Sequence, residues 1–173
     1  MKRSVGLWQL LGFGVTAVAG TLLHFLYEWT GKAVIVAPFS AINESTWEHM
    51  KLLFWPSFIF ACFQYPAFKK YTEFWCIKLR GIITGLALIP VIFYTYNGAI
   101  GKSPDWLNIT IYFLSAAVVY IYETRQFRKK PEKNGTAFNF PEIAFIVLII
   151  IAIIFVVFTF VRPDFGIFKD PGQ

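Results

Sequence analysis

Both histidines of this chain lie next to carboxylates. One stretch reads His24-Phe25-Leu26-Tyr27-Glu28-Trp29 and the other Asn43-Glu44-Ser45-Thr46-Trp47-Glu48-His49-Met50-Lys51. Imidazole and carboxylate together suit zinc or iron. An ion held by such donors can activate a bound water for hydrolysis, with a spare carboxylate as base. His24, Glu28 and His49 are therefore candidate metal ligands, Glu28 as ligand or orienter, and the cofactor would be zinc or another divalent metal. Glu44 and Glu48 are candidate catalytic groups, each serving as ligand or base. His24 and Glu28 are four residues apart, as are Glu44 and Glu48, so each pair shares a face of a helix. The chain has no His-Glu-x-x-His run and no Glu-x-x-His pair.

The same residues also have structural roles open to them. Ser45-Thr46-Trp47-Glu48 fits the capping box S/T-x-x-E at the start of an apolar helix. Glu44 would favour the positive end of that helix. His24 could hydrogen-bond across a helix bundle, and Lys51 could pair with Glu48 or snorkel.

The elements that must position these residues are membrane helices. Of 173 residues, 57% are apolar and 15% charged, against roughly 45–50% and 25% in a soluble domain. That balance excludes disorder, a coiled coil and an ordinary soluble enzyme. Ile143 to Val161 is nineteen residues without a charge, close to the hydrocarbon thickness of a bilayer as a helix. Four further apolar segments cover about 5–29, 45–68, 81–96 and 106–122. Each must be helical, because open backbone groups are not tolerated in lipid. The expected fold is all-α: a single membrane domain over 1–173, a polytopic bundle of five transmembrane helices. Pro56 and Pro90 fall inside spans and should kink them. Ala17-Val18-Ala19 imitates a leader cleavage site, but the apolar run continues to Trp29, so the first helix is read as retained.

Basic residues set the orientation. Lys2, Arg3, Lys69, Lys70, Lys78, Arg80, Arg125, Arg128, Lys129, Lys130 and Lys133 fall on one side of a five-span chain. Only Lys32, Lys51, Lys102, Arg162 and Lys169 fall on the other. The N-terminus is thus expected in the cytoplasm and the C-terminus outside, in a multi-pass protein of the cell membrane. The net charge of +6 then reports topology, and nucleic acid is not an expected partner. The lipid bilayer is, and a small-molecule or lipid ligand is the candidate guest of the His/Glu cluster. Trp29, Trp47 and Trp106 at outer helix ends, with Trp8 and Trp75 at inner ends, fit an aromatic belt. Gly14, Ala17, Thr21, His24 and Glu28 fall on one arc of the first helix, which small residues mark as its bundle-facing side. Glu123 and Arg125 are read as solvated at the start of an inner loop. Cys62 and Cys76 make neither a disulfide framework nor a Cys-x-x-Cys site.

The stretch from Ala37-Pro38-Phe39-Ser40-Ala41-Ile42 through Asn43-Glu44-Ser45-Thr46-Trp47-Glu48-His49-Met50-Lys51 resembles the hallmark of a family of small bacterial multi-pass membrane proteins classed as a domain of unknown function. That hallmark reads Asn-Glu-Ser-x-Trp-Glu-His-x-Lys after a first helix carrying His and Tyr. The tail Phe168-Lys169-Asp170-Pro171 is similar to the Phe-x-Asp-Pro ending of the family. The departure is Ala41-Ile42 in place of Pro-Val, which touches the turn and none of the polar residues. This resemblance implies a site and no activity. Trp47-Glu48-His49 is also similar to part of the motif of the progestin-receptor and ceramidase-like zinc membrane hydrolases. The late His-x-x-x-His pair of those proteins is absent, since no histidine follows His49.

Three functions follow. The leading one is metal-assisted hydrolysis of a lipid-like substrate at the outer ends of helices one and two. The second is a non-catalytic transporter or ligand-binding component that uses the same cluster. The third is a structural membrane subunit. The lack of an internal repeat argues against an inverted-repeat transporter.

Overall fold

The computed structural model describes residues 2–129 and 140–170. Lys130, Lys133 and Pro171, invoked above, lie outside these residues. The described residues form five α-helices and no strand: α1 (Lys2–Trp29), α2 (Thr46–Phe68), α3 (Phe74–Ala99), α4 (Asp105–Arg128) and α5 (Pro141–Phe160). A short 3-10 turn, Gly166–Phe168, follows α5. Four segments are long and apolar enough to cross a membrane: Ser4–Trp29, Phe74–Ala99, Trp106–Arg128 and Pro141–Phe160.

The fifth helix, α2, is buried or half-buried over its first half, 46–58, and partly exposed beyond it. Its buried residues include Glu48, Lys51, Ser57 and Gln64 beside Leu53, Phe54 and Trp55, while Ile59 and Phe63 are exposed. Helices α1 to α4 form a ring in which each touches the next and α4 closes on α1. Helix α5 lies outside that ring against α3 and α2. Aromatic rings carry much of this packing. Trp47 meets Phe155 and Phe168 with ring centroids 4.7 Å apart in both cases, and Trp75 meets Phe145 at 4.5 Å. Edge and tilted contacts of this kind add to simple area burial.

Gly81 and Gly85 bring α3 onto α4. A Cβ at Gly85 would stand 2.4 Å from Val119 Cγ2 and 2.9 Å from Leu53 Cδ2, and one at Gly81 would be 3.0 Å from Glu123 Cγ. Small residues at a helix interface permit such approach.

Several expectations shift. Helix α3 begins at Phe74, one helical turn before Lys78, which is fully buried and pairs with Glu123 at 2.7 Å. Neither residue is the solvated loop group that the sequence implied; each neutralises the other inside the bundle. The buried stripe of α1 is Val5, Gln9, Gly12, Thr16 and Gly20, not the arc through Gly14 and Thr21, both of which are exposed. Both arcs contain small residues, and the hydroxyl of Thr16 decides between them by bonding Tyr120 Oη at 2.7 Å. Trp47 is buried among the aromatic rings of α5 and the tail, where it anchors the core and not the belt. Helices α2 and α3 continue through Pro56 and Pro90.

Candidate metal centre

The start of α2 is built by its own polar residues. Ser45 caps the helix, its Oγ accepting from the Glu48 amide at 3.4 Å, while its own N–H donates to Asn43 Oδ1 at 3.0 Å. The second half of a capping box would return Glu48 to Ser45. Glu48 turns elsewhere: its carboxylate accepts from the Ile42 amide at 3.0 Å and meets Lys51 Nζ at 2.7 Å. Lys51 also donates to the Ala37 carbonyl at 2.8 Å and to Thr159 Oγ1 at 3.0 Å. The three donors of this buried ammonium are thereby all used. Trp55 Nε1 donates to the Pro38 carbonyl at 2.9 Å. Ser40 accepts from the Tyr27 amide at 3.0 Å and donates to the Leu23 carbonyl. Loop 30–45 is strapped to α1 and α2 by these bonds.

The strap leaves Glu44 between the two histidines. Its Oε1 stands 3.5 Å from His24 Nε2 and its Oε2 3.7 Å from His49 Nε2. The two imidazole rings lie 5.7 Å apart at 37°. One ligand atom from each of His24, Glu44 and His49 falls within 4.8 Å of the others. Two donors bound at about 2.0–2.1 Å to a tetrahedral ion stand roughly 3.3 Å apart. The Glu44–His separations are near that spacing and too long for good hydrogen bonds.

His49 Nδ1 is 3.0 Å from the Ser45 carbonyl. A carbonyl only accepts, so Nδ1 carries a proton, and in the neutral ring the Nε2 lone pair is the one directed at Glu44. Ligand histidines are oriented in this way by a hydrogen bond at the other ring nitrogen. The cluster is open on one side, with Glu44 61% exposed against 26% for His24 and 18% for His49. Beside it lies a cleft of about 20 Å³ lined by Glu44, His49, Ile89, Phe93, Asn108 and Tyr112, room for about one water.

The other sequence candidates are elsewhere. Glu28 points away to Lys32 at 3.7 Å and is exposed. Glu48 is buried in its bonds to Lys51 and Ile42. The tail returns to the outer end of α2 through Phe168 on Trp47, while Asp164 pairs with Lys169 at 2.8 Å, which holds the Asp164 carboxyl below the usual range. Asn97 closes the α3–α4 turn, accepting from the Ser103 amide at 2.8 Å. Asn108 and Tyr112 in the cleft wall were not picked out by sequence. Their signal was a polar pair one turn apart in an apolar helix.

A family model describing a family of unknown function, DUF6512, matches residues 1–172. The chain belongs to this family. Membership of DUF6512 therefore assigns no activity, and the reading of the site rests on its geometry. No curated protein and no solved structure matches the chain.

Proposed function

We propose that this chain is a five-span membrane protein, N-terminus in the cytoplasm and C-terminus outside, holding a divalent metal on His24, Glu44 and His49. Zinc is the first choice, and the reaction is metal-assisted hydrolysis of a lipid-like substrate. The observation that carries this reading is the His49 Nδ1 contact to Ser45 O, which directs Nε2, the ligand atom of the neutral ring, at a carboxylate shared with His24.

Two imidazoles and one carboxylate are the ligand set of catalytic zinc sites that keep a fourth position for water. With an ion bound, Glu44 would ligate through one oxygen and leave the other free to accept a proton from a bound water. Glu48 does not share this work, because Lys51 and the loop amide occupy its carboxylate. The lipid-like substrate is supported by the surroundings. Phe25 and Trp29, stacked at 5.7 Å, are exposed beside His24, and Ile89 and Phe93 line the cleft. The five-span topology is supported by the charge bias, which survives removal of the buried Lys78 and Lys51 as ten basic residues against four.

The test is elemental analysis of the purified protein. The expected result is near-stoichiometric metal that His24→Ala, Glu44→Ala and His49→Ala each abolish and Glu28→Ala leaves intact. A metal-free wild type, loaded with zinc and still empty, overturns the reading.

A further inference from the structure

The interior of the α1–α4 ring carries a second polar assembly, deep in the bundle and separate from the outer corner. Lys78 of α3 and Glu123 of α4 pair at 2.7 Å and are 0% and 1% exposed. Gln9 of α1 and Gln64 of α2 are 2% and 0% exposed, and both amide atoms of each lack a partner among the described residues. A buried amide without partners costs several times what a made hydrogen bond gains. Four such atoms in one protein need a function or a guest.

Helical spacing places the two glutamines near the ion pair. Thr16 Oγ1 and Ser57 Oγ face each other at 3.4 Å across the antiparallel α1–α2 pair. Gln9 and Gln64 each lie seven residues inward from that contact, two turns along and on the same faces, which puts them at a similar depth on the facing sides of α1 and α2. Lys78 Nζ sits 5.9 Å from the Phe60 ring, one turn from Gln64, and 5.5 Å from the Tyr120 ring, three residues from Glu123. Hydroxyl groups continue outward from these residues. Tyr120 Oη bonds Thr16 Oγ1 at 2.7 Å, and Tyr112 Oη donates to the Thr16 carbonyl at 2.8 Å. Tyr112 also lines the outer cleft with Glu44 and His49. Two glycines of α1 make room for these rings: a Cβ would fall 1.8 Å from Tyr112 Oη at Gly20 and 2.5 Å from Tyr120 Cε1 at Gly12. At the inner end the Arg128 guanidinium lies against Gly6.

We propose that this track carries protons, with Glu123 as the proton-binding group and Gln9 and Gln64 holding water beside it. Ionisable residues inside a membrane bundle are costly, pair with one another and mark ion and proton pathways. In the resting form the proton is on Lys78 and Glu123 is ionised. An added proton binds a Glu123 oxygen, leaving Lys78 cationic. It departs through water to the Tyr120 hydroxyl, which accepts it and releases its own proton to Thr16 Oγ1. A proton of the Thr16–Ser57 hydroxyl pair then leaves through water to the outer cleft, past Tyr112, whose own proton stays hydrogen-bonded to the Thr16 carbonyl, and the ion pair is restored. The groups facing Glu123 that bear on its proton are Lys78 and Tyr120, with Arg128 at the inner mouth.

The test uses vesicles containing the full chain, an entrapped pH-sensitive dye and an imposed pH gradient. Wild type is expected to collapse the gradient at least about tenfold faster than protein-free vesicles, the change given by one hydrogen bond's worth of barrier. Tyr120→Phe and Gln64→Leu should each remove most of that rate. Gln64→Leu deletes two orphaned polar atoms, so its melting temperature should hold or rise, separating lost conduction from lost fold. The paired variant Lys78→Met with Glu123→Leu should fold and conduct nothing, since apolar replacement of a buried pair is often neutral or stabilising. A wild-type rate equal to that of empty vesicles overturns the proposal. So does wild-type conduction by Gln64→Leu and Tyr120→Phe.

Discussion

Glu48 and Lys51 form a buried ion pair at 2.7 Å inside the same motif that supplies His49. The motif therefore does two jobs. Glu48 and Lys51 hold loop 30–45 against α2, and the held loop sets Glu44 between His24 and His49.

Breaking that pair from one side leaves a charge stranded in the core. Glu48→Gln or Lys51→Met alone should cost about 3–5 kcal/mol, and the double replacement Glu48→Leu with Lys51→Met much less. Thermal unfolding in detergent measures this. Equal losses for single and double variants would count against a purely structural pair.

Acid should release the metal. Imidazole binds an ion only when unprotonated, so protons compete with it. Metal retained during a downward pH titration, read with a chromophoric chelator, should fall in wild type and identically in Glu28→Gln. A shifted curve for Glu28→Gln would mean that Glu28 acts on the centre from its place beside Lys32.

Ser45→Ala should loosen the first turn of α2. The lost cap costs about 1 kcal/mol, and the carbonyl that orients His49 belongs to the same residue. Zinc affinity should fall roughly tenfold, the low end for lost orientation of a ligand. Competition titration reads it. Unchanged affinity would separate the cap from the ring orientation.

Gly20→Ala should be poorly tolerated, because the added methyl meets Tyr112 Oη at 1.8 Å and the Leu52 carbonyl at 2.9 Å. Overpacking of this kind costs about 1–3 kcal/mol. Tyr112→Leu added to it should recover part of the loss in a melting experiment. Gly14→Ala, with open space around it, should be neutral.

The sequence made the spans of α1, α4 and α5 legible because hydropathy is a local property. Ile143 to Val161 needs no partner to be recognised. The start of α3 was not legible, since Lys78 looks like any loop cation until Glu123, 45 residues later, is brought to it. The outer corner was legible as a group of His and Glu side chains, because two short stretches close in sequence hold them. Which carboxylate faces the histidines was not. Glu44 and Glu48 share a spacing, and only the loop path, fixed by Lys51 and Ser40, turns one inward and the other to the core. Gln9 and Gln64 gave no sequence signal, since a lone glutamine near a helix end is ordinary until its surroundings are known.

The polar groups buried along α2 bear on how the chain is made. A nascent helix with Glu48, Lys51, Gln64 and two prolines has little to gain from lipid by itself. It follows α1 out of the ribosome and can settle only against earlier or later helices. Trp47 and Phe54 find Phe155 only when α5 arrives, and Lys51 finds Thr159 in that same helix. Until then the second helix depends on α1 and on α3 as it follows. A chain truncated before α5 would keep its most apolar-seeking residues uncovered, and would be a natural substrate for membrane quality control.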